Sequence, residues 1–265
     1  MDWFQTVFLA LLQGVTEFLP VSSSAHLILP SHLFGWPDQG LAFDVAVHVG
    51  TLGAVVAYFR CDIVNMTRAW CRSIIKREHS QDSRLAWYVI LGTVPVGLAG
   101  ILLGGFIESN LRSTLVIAIA TLFFGVGLWL AETRFKHQRP LHTIRLRDVA
   151  LIGLAQACAL IPGTSRSGAT MMMAMALGLT RTAAARFSFL LSIPVISFAG
   201  LLKIMQLCQS SDPVQWGYLL LGLMVSFVSA YLCIDWFLKV LEKIGLLPFV
   251  IYRMFLGIIL LVFFV

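Results

Sequence analysis

Six stretches of the sequence, residues 41–59, 85–104, 113–131, 187–205, 216–235 and 247–265, are continuous and apolar, with at most one charge in each. A bilayer core about 30 Å thick takes roughly 20 helical residues per crossing, so each stretch is long enough to span once. The short alternating segments of a membrane β-barrel are absent, and hydrocarbon demands a backbone that satisfies its own hydrogen bonds. The composition agrees. Hydrophobic residues make up 58% of the 265 and charged residues 12%, about half the ~25% of soluble domains and too few to wet a globule. The expected fold is an all-α integral membrane protein whose partner is the lipid bilayer. The net charge of +6 reads as a signal that orients the chain, and no nucleic-acid partner is expected. Five scattered cysteines without a CxxC spacing predict neither a disulfide framework nor a zinc site. The first residues, Met-Asp-Trp-Phe, carry no basic region or cleavage site, and the N-terminus is expected to be retained.

Two further apolar segments are interrupted. Residues 3–35 break at Pro20–Ser24, and residues 149–179 break at Pro162–Gly168. Non-helical backbone at membrane depth is tolerated only inside protein or beside a wet cavity. Both segments therefore read as re-entrant helical hairpins whose tips meet in the interior. The order is hairpin, three spans, hairpin, three spans, and PVSSSA (20–25) aligns with PGTSRS (162–167). A hairpin returns to its own side while three spans change sides, so the repeats 1–135 and 145–265 are expected to be inverted relative to each other. Charge tests the topology. It puts fifteen of the nineteen Lys and Arg on one side and only Arg112 and Lys203 on the other, with Arg166 and Arg253 inside the membrane. By the positive-inside rule both termini and the mouth of the first hairpin face out, away from the cytoplasm.

The two breaks carry the polar groups. The first offers Gln13, Glu17, Ser22, Ser23, Ser24 and His26, with Gln13 and Glu17 four apart on one helix face. The second offers Thr164, Ser165, Arg166 and Ser167 between Gly163 and Gly168. Ionisable groups at membrane depth read as functional by default. Arg166 brings a permanent planar fork that suits phosphate, and a helix starting after each break directs its N–H groups at the same spot. The result is an anion site. Glu17 and His26 add a base or metal-holding carboxylate and an imidazole, which is what phosphoryl hydrolysis needs. The alternative is that Arg166 pairs with Glu17 and the serines merely cap helices. Among the other polar residues, Arg253 reads as a structural pair or backbone clamp, and Asp44 and His48 as structural or cavity-lining. Gly97, Gly100, Gly104 and Gly105 read as close helix packing.

QGVTEFLPVSSSAH (13–26) and PGTSRSGAT (162–170) closely resemble the two signature motifs of the bacitracin-resistance family of undecaprenyl-diphosphate phosphatases, and the resemblance continues through FSFLLSIP (187–194) and LPFVIYR (247–253). It implies hydrolysis of a polyprenyl diphosphate lipid to the monophosphate carrier of cell-wall precursors, a divalent cation (Mg²⁺ or Ca²⁺), and a site open to the periplasm. It places the family's catalytic carboxylate at Glu17, its serine pair at Ser22 and Ser23, its histidine at His26 and its phosphate arginine at Arg166. Gln13 stands where relatives often have Glu, so it can offer a metal only its carbonyl and leaves acid–base work to Glu17. Arg186 likewise stands where relatives often have Glu. Ser23, His26 or a water activated by Glu17 could be the nucleophile, and His26 assisted by Glu17 is the favoured reading. The competing function is a transporter or flippase of polyprenyl phosphate or another anionic lipid, which needs an anion clamp but no base. A monomer and a homodimer packed through the glycine-rich span both remain open.

Overall fold

The computed structural model describes residues 1–36, 39–209 and 215–264. The described residues form eleven α-helices and one short 3₁₀ turn, with no strand beyond a single bridge between Arg139 and Leu179. In chain order the helices are α1 Trp3–Thr16, α2 Ser23–Phe34, α3 Gly40–Tyr58, α4 Arg60–Ile75, α5 Gln81–Asn110, α6 Thr114–Arg134, α7 Leu146–Cys158, α8 Arg166–Ala176, α9 Arg181–Gln209, α10 Trp216–Ile244 and α11 Leu247–Phe264. Six of them (α3, α5, α6, α9, α10 and α11) are long and apolar enough to cross a membrane. They coincide with the six expected spans, except that Val265, the last residue of the final one, lies outside the described residues. The outer faces are strongly apolar, with Leu102, Phe123 and Phe263 at least 70% exposed. A soluble protein does not tolerate such a belt, and the chain is an integral membrane protein.

Several helices outrun the apolar stretches that announced them. The start of α5 is fixed at Gln81 by a capping box, in which Ser80 Oγ accepts from the Ser83 N–H and Ser83 Oγ from the Ser80 N–H. α9 begins at Arg181, where Thr180 Oγ1 accepts from the Ala183 N–H. α10 runs on to Ile244 and stops at Gly245, whose φ of +69° is left-handed. Residues 60–75, expected as loop, form α4. Its charges hid it from a hydropathy reading, although its apolar residues recur at helical spacing.

The two interrupted segments each fold as a pair of short helices around a non-helical turn. α1, α2, α7 and α8 have 14, 12, 13 and 11 residues. At ~1.5 Å per residue each is about 16–21 Å long, short of the hydrocarbon core. α1 packs on α10 and α7 on α5. Each contact needs one glycine, because a Cβ at Gly14 would meet Ser229 Oγ, and one at Gly153 would lie 2.8 Å from the Gly92 carbonyl. By contrast Gly97, Gly104 and Gly105 have nothing within 4 Å of a built Cβ. The close packing expected there is not made within the chain, because α7 reaches only the part of α5 near Gly92 and leaves the rest of its outer face uncovered.

The main buried cluster draws on α3 to α11, with Phe18 and Leu19 of the first turn. Phe189 is its hub, with ring centroids 5.4 Å from Phe18, 6.2 Å from Phe59 and 5.9 Å from Phe237. At the end of the bundle that gathers the basic loops lie three ion pairs, the short-range Arg139–Asp148 at 2.6 Å and two that tie segments distant in sequence, Arg181–Glu132 at 2.7 Å and Arg186–Asp62 at 2.9 Å. Glu132 is buried whereas Arg181 is half-exposed. Arg181→Ala is therefore expected to strand a buried carboxylate and cost about 1–3 kcal/mol, and Arg181→Ala with Glu132→Gln to recover most of it. Thermal unfolding in detergent measures this, and an unchanged midpoint in the single variant would mean that the pair adds nothing.

Candidate active site

Both turns are built alike. Each of the helices α2 and α8 is preceded by a serine in the left-handed region, Ser22 at φ 73° and Ser165 at φ 67°. Few non-glycine residues adopt this conformation, and it costs about 1–2 kcal/mol. In each turn the hydroxyl also lies 3.2 Å from that of a serine two residues on, Ser24 or Ser167. Matching the turns by these serines shifts the sequence alignment by one residue. Ser22 then corresponds to Ser165, Ser23 to Arg166, and Gln13 to Gln156.

The turns are locked against each other. Ser167 Oγ donates to the Leu19 carbonyl at 2.8 Å. Arg253, wholly buried on α11, donates to the carbonyls of Pro20 (3.3 Å), Gly163 (3.0 Å) and Thr164 (3.0 Å), and to that of Thr121 on α6. Arg253 is thus the backbone clamp that its position suggested. Close approach is needed at Gly163 (φ 91°), where a Cβ would lie 2.9 Å from Ile117 Cα.

Glu17 sits just past the end of α1 with both carboxylate oxygens engaged. Arg166 Nη2 donates to Oε1 at 2.9 Å, while Gln13 Nε2 and Ser23 Oγ donate to Oε2 at 3.0 Å and 2.9 Å. Arg166 Nη1 also reaches the Ser188 carbonyl at 3.3 Å, and its guanidinium carbon lies 5.8 Å from the centroid of Phe18. The pair is enclosed but reachable, with side chains 9% and 12% exposed. It opens on a cavity of about 190 Å³ that is also lined by His48, Gln156 and Lys203 and walled by apolar side chains of α3, α5, α7 and α9.

The structure therefore brings together Gln13, Glu17, Ser23 and Arg166. Ser22 and Ser24 flank them, Ser22 buried and Ser24 exposed. Most other groups of the second turn are committed to protein, although the buried Thr164 hydroxyl has no hydrogen-bond partner among the described residues. Gly163 and Thr164 give their carbonyls to Arg253, Ser165 Oγ accepts from the Gly168 N–H, and Ser167 is bonded to Leu19. Arg166 alone of that turn lines the cavity.

His26 departs from expectation. Its Nδ1 donates to the Ser22 carbonyl at 2.7 Å, and its Nε2 accepts from the Tyr252 hydroxyl. Neither nitrogen meets Glu17 or Arg166. The ring lines a separate, largely apolar cavity of about 530 Å³ with Trp236, Phe249 and Tyr252. The reason is local, since the carbonyl four residues back draws the ring over the start of α2 and Tyr252 turns it toward α11. Three cavity residues, His48, Gln156 and Lys203, were not anticipated as site residues. Gln156 was legible as the counterpart of Gln13, but only once the turns are matched by their serines. His48 was read as structural or cavity-lining, and it does line the cavity, whereas Lys203 lies in an ordinary span and nothing local marks it.

A carboxylate–arginine pair with a serine hydroxyl on the carboxylate, set between two broken helices of a protein with six apolar spans, is an arrangement chemically able to bind an anion beside a base. The comparisons with known proteins give it a family. The profile of the bacitracin resistance protein BacA matches residues 6–259, and the chain belongs to that family. It is 58% identical to "Undecaprenyl-diphosphatase 2" of Stutzerimonas stutzeri, over 100% of this chain and 99% of that one. It is 57% identical to the undecaprenyl-diphosphatase of Chromohalobacter salexigens over 99% of each chain. With that of Hahella chejuensis it shares 58% identity over 97% of this chain and 96% of that one.

Arg253→Lys keeps the charge but not the fork. An ammonium cannot reach all four carbonyls, and each one left buried without a donor costs about 1–3 kcal/mol. A lower unfolding midpoint in detergent is expected, and a wild-type midpoint would remove Arg253 as the element holding the turns together.

Proposed function

We propose that this protein hydrolyses undecaprenyl diphosphate to undecaprenyl phosphate and inorganic phosphate, recycling the lipid carrier for cell-wall synthesis and conferring bacitracin resistance. The observation that carries the reading is the Ser23–Glu17–Arg166 chain of hydrogen bonds. A serine hydroxyl is a weak nucleophile unless a base stands beside it, and here the hydroxyl already points its proton at a carboxylate. Ser23 Oγ attacks the terminal phosphorus and passes its proton to Glu17. The bridging P–O bond breaks and the lipid monophosphate leaves. Glu17 gives that proton up to water and then takes one from the water that attacks the phosphoserine; the P–Oγ bond breaks, Ser23 Oγ takes the proton back from Glu17, and inorganic phosphate departs. Arg166 and the N–H groups at the start of α2 face the charge that builds on the non-bridging oxygens. His26 fits a positioning role, because it fixes the Ser22 carbonyl one residue before the nucleophile. The favoured sequence reading of His26 as attacking group gives way to Ser23 on this geometry.

The donor set also fits a divalent cation. Gln13 Oε1 is buried and has no hydrogen-bond donor, on the same helix face as Glu17. Among the described residues no group of three His, Cys, Asp or Glu could hold an ion. The protein would thus contribute Gln13 and Glu17, and the diphosphate and water the remaining oxygens, a pattern suited to Mg²⁺ and tolerable to Ca²⁺. When bound, the ion would neutralise charge on the diphosphate.

The two helix pairs are re-entrant hairpins in inverted repeats, 1–135 and 145–265, and the site opens to the periplasm with both termini on that side. The likeness of the two turns, the short lengths of α1, α2, α7 and α8, and the one-sided distribution of Lys and Arg support this topology.

Loss of the base or of the nucleophile removes about 10²–10⁴-fold in rate. Glu17→Gln and Ser23→Ala are both expected to lower kcat on farnesyl diphosphate in detergent by at least that range, Ser23→Ala at an unchanged unfolding midpoint and Glu17→Gln at a lowered one, because it removes the partner of Arg166, so that its kcat is read well below that midpoint. His26→Ala is expected to lower kcat less, with partial rescue by His26→Asn, which can still donate to the Ser22 carbonyl. Retained turnover in Ser23→Ala, with none in either His26 variant, would restore His26 as nucleophile. Native cysteines report the orientation, since Cys208 at the end of α9 and Cys61 and Cys71 on α4 are all exposed. A membrane-impermeant maleimide applied to cells with a permeable outer membrane should label a variant keeping only Cys208 and spare one keeping only Cys61 and Cys71. The opposite pattern would put the site on the cytoplasmic face.

A further inference from the structure

The cavity beside Glu17 and Arg166 holds a second cation that the proposed chemistry does not use. Lys203 lies on the face of α9 that also presents Ile196, Ala199 and Gly200 to this space, a spacing of three and four residues that keeps them on one side. Side chains on a helix lean toward its N-terminus, so the Lys203 stem runs back over Ala199 and toward Arg166. It is loosely held. Its one ion pair, to Asp44 Oδ2, is 3.8 Å long, and its side chain is 40% exposed. Asp44 is itself fixed by the Gln39 side-chain amide at 3.1 Å.

Across the cavity stands His48. Its Nδ1 donates to the Asp44 carbonyl at 2.7 Å, which orients the ring and leaves Nε2 without a partner among the described residues. A third polar group, Gln156, is wholly buried and lines the same space. Its Nε2 is spent on the Gly92 carbonyl, and its Oε1 has no donor. Asp44 holds Lys203 only at 3.8 Å, which leaves the ammonium able to take a second, closer counter-charge from the cavity. Glu17 cannot supply it, because both of its oxygens are already engaged by Arg166, Gln13 and Ser23.

We propose that Lys203 and His48 form an outer phosphate subsite, which holds the phosphoryl group that leaves with the lipid while Arg166 and Ser23 take the terminal one. The inference rests on the diphosphatase reading and deepens it, because two cations spaced along one cavity select a diphosphate over a monophosphate ester. Lys203 meets the non-bridging oxygens of the inner phosphate as a point charge. With Nδ1–H held by the Asp44 carbonyl, His48 meets the same phosphate as an imidazolium donating from Nε2, and the apolar walls receive the first isoprenyl units.

Two readouts test it on the full chain purified in detergent. The first is binding of methylenediphosphonate, a diphosphate that cannot be hydrolysed, against methylphosphonate. Lys203→Ala is expected to weaken the diphosphonate by about 10–100-fold, the worth of one charge-assisted hydrogen bond. Lys203→Arg should recover most of this, and His48→Ala should show a smaller loss that His48→Gln partly restores. Methylphosphonate binding should change at least tenfold less. The second is kcat/KM on farnesyl diphosphate, where the same variants should act chiefly through KM. If the wild type releases phosphate but Lys203→Ala binds the diphosphonate as tightly as wild type, or loses both probes equally, the subsite is overturned and the diphosphatase reading stands. If the wild type releases no phosphate yet binds the diphosphonate in a Lys203-dependent way, the hydrolase reading falls and the subsite stands.

Discussion

A guanidinium buried in a membrane protein, with no carboxylate beside it, is the constraint on which this architecture depends. A broken helix leaves backbone carbonyls without intrahelical partners, and hydrocarbon supplies no water to satisfy them. Arg253 meets the carbonyls of both breaks, at Pro20, Gly163 and Thr164, and that of Thr121 besides. Five N–H donors in a rigid fork suit this task, where an ammonium does not. The cation in turn is stabilised by the carbonyl dipoles it gathers. Removing either part would leave the other unsatisfied, so the two turns and Arg253 exist together. Gly168 belongs to the same arrangement, since a Cβ there would lie 3.1 Å from Arg253 Nη1.

With the turns pinned, a single residue after each decides the chemistry it presents. Both helices restart after a left-handed serine, and the next position opens the helix. In the first turn that residue is Ser23, and in the second it is Arg166. Both converge on Glu17, at 2.9 Å each. A single backbone device used twice thus presents a hydroxyl from one side and a guanidinium from the other. Serine is used at Ser22 and Ser165, although glycine would carry less strain at a positive φ, and its hydroxyl pairs with that of Ser24 or Ser167 in return.

Much of this was legible in the sequence, and the misses have physical causes. Six spans were readable because a bilayer imposes a length and a composition together. Both breaks were readable because polar residues at membrane depth must have a use. The meeting of Glu17 with Arg166 was readable for the same reason, and Arg253 as a clamp from its isolation in an apolar helix. α4 escaped because its helix rests on periodicity and not on hydropathy. His26 was misjudged because spacing along α2 cannot show that the Ser22 carbonyl and Tyr252 between them take both ring nitrogens. Lys203 escaped because it lies in an ordinary span, and the cavity-lining alternative for His48 carried no partner because only the packing of α3 against α9 brings the two to one cavity. The one-residue shift between the two turns hid the kinship of Gln13 and Gln156, since proline is the conspicuous marker in sequence while the left-handed serine is the structural one.

The Glu17–Arg166 pair is an expensive way to hold two hairpins together. Taking both ions out of water costs several kcal/mol before their attraction repays it, and a well-packed apolar pair of the same volume is often at least as stable. Stability alone therefore does not account for it. The distribution of contacts does. Glu17 is held on both oxygens, by Arg166 on one and by Gln13 and Ser23 on the other, so it is fixed in place and charged before any ligand arrives. Arg166 spends its shorter bond on Glu17 and its longer one, at 3.3 Å, on the Ser188 carbonyl. An incoming anion that takes Nη1 displaces the weaker of the two and leaves the carboxylate where it was, against the hydroxyl of Ser23. Under the proposed reaction a site organised in this way would accept a phosphate without displacing Glu17 from Ser23, which is the condition under which preorganised charge is effective in catalysis.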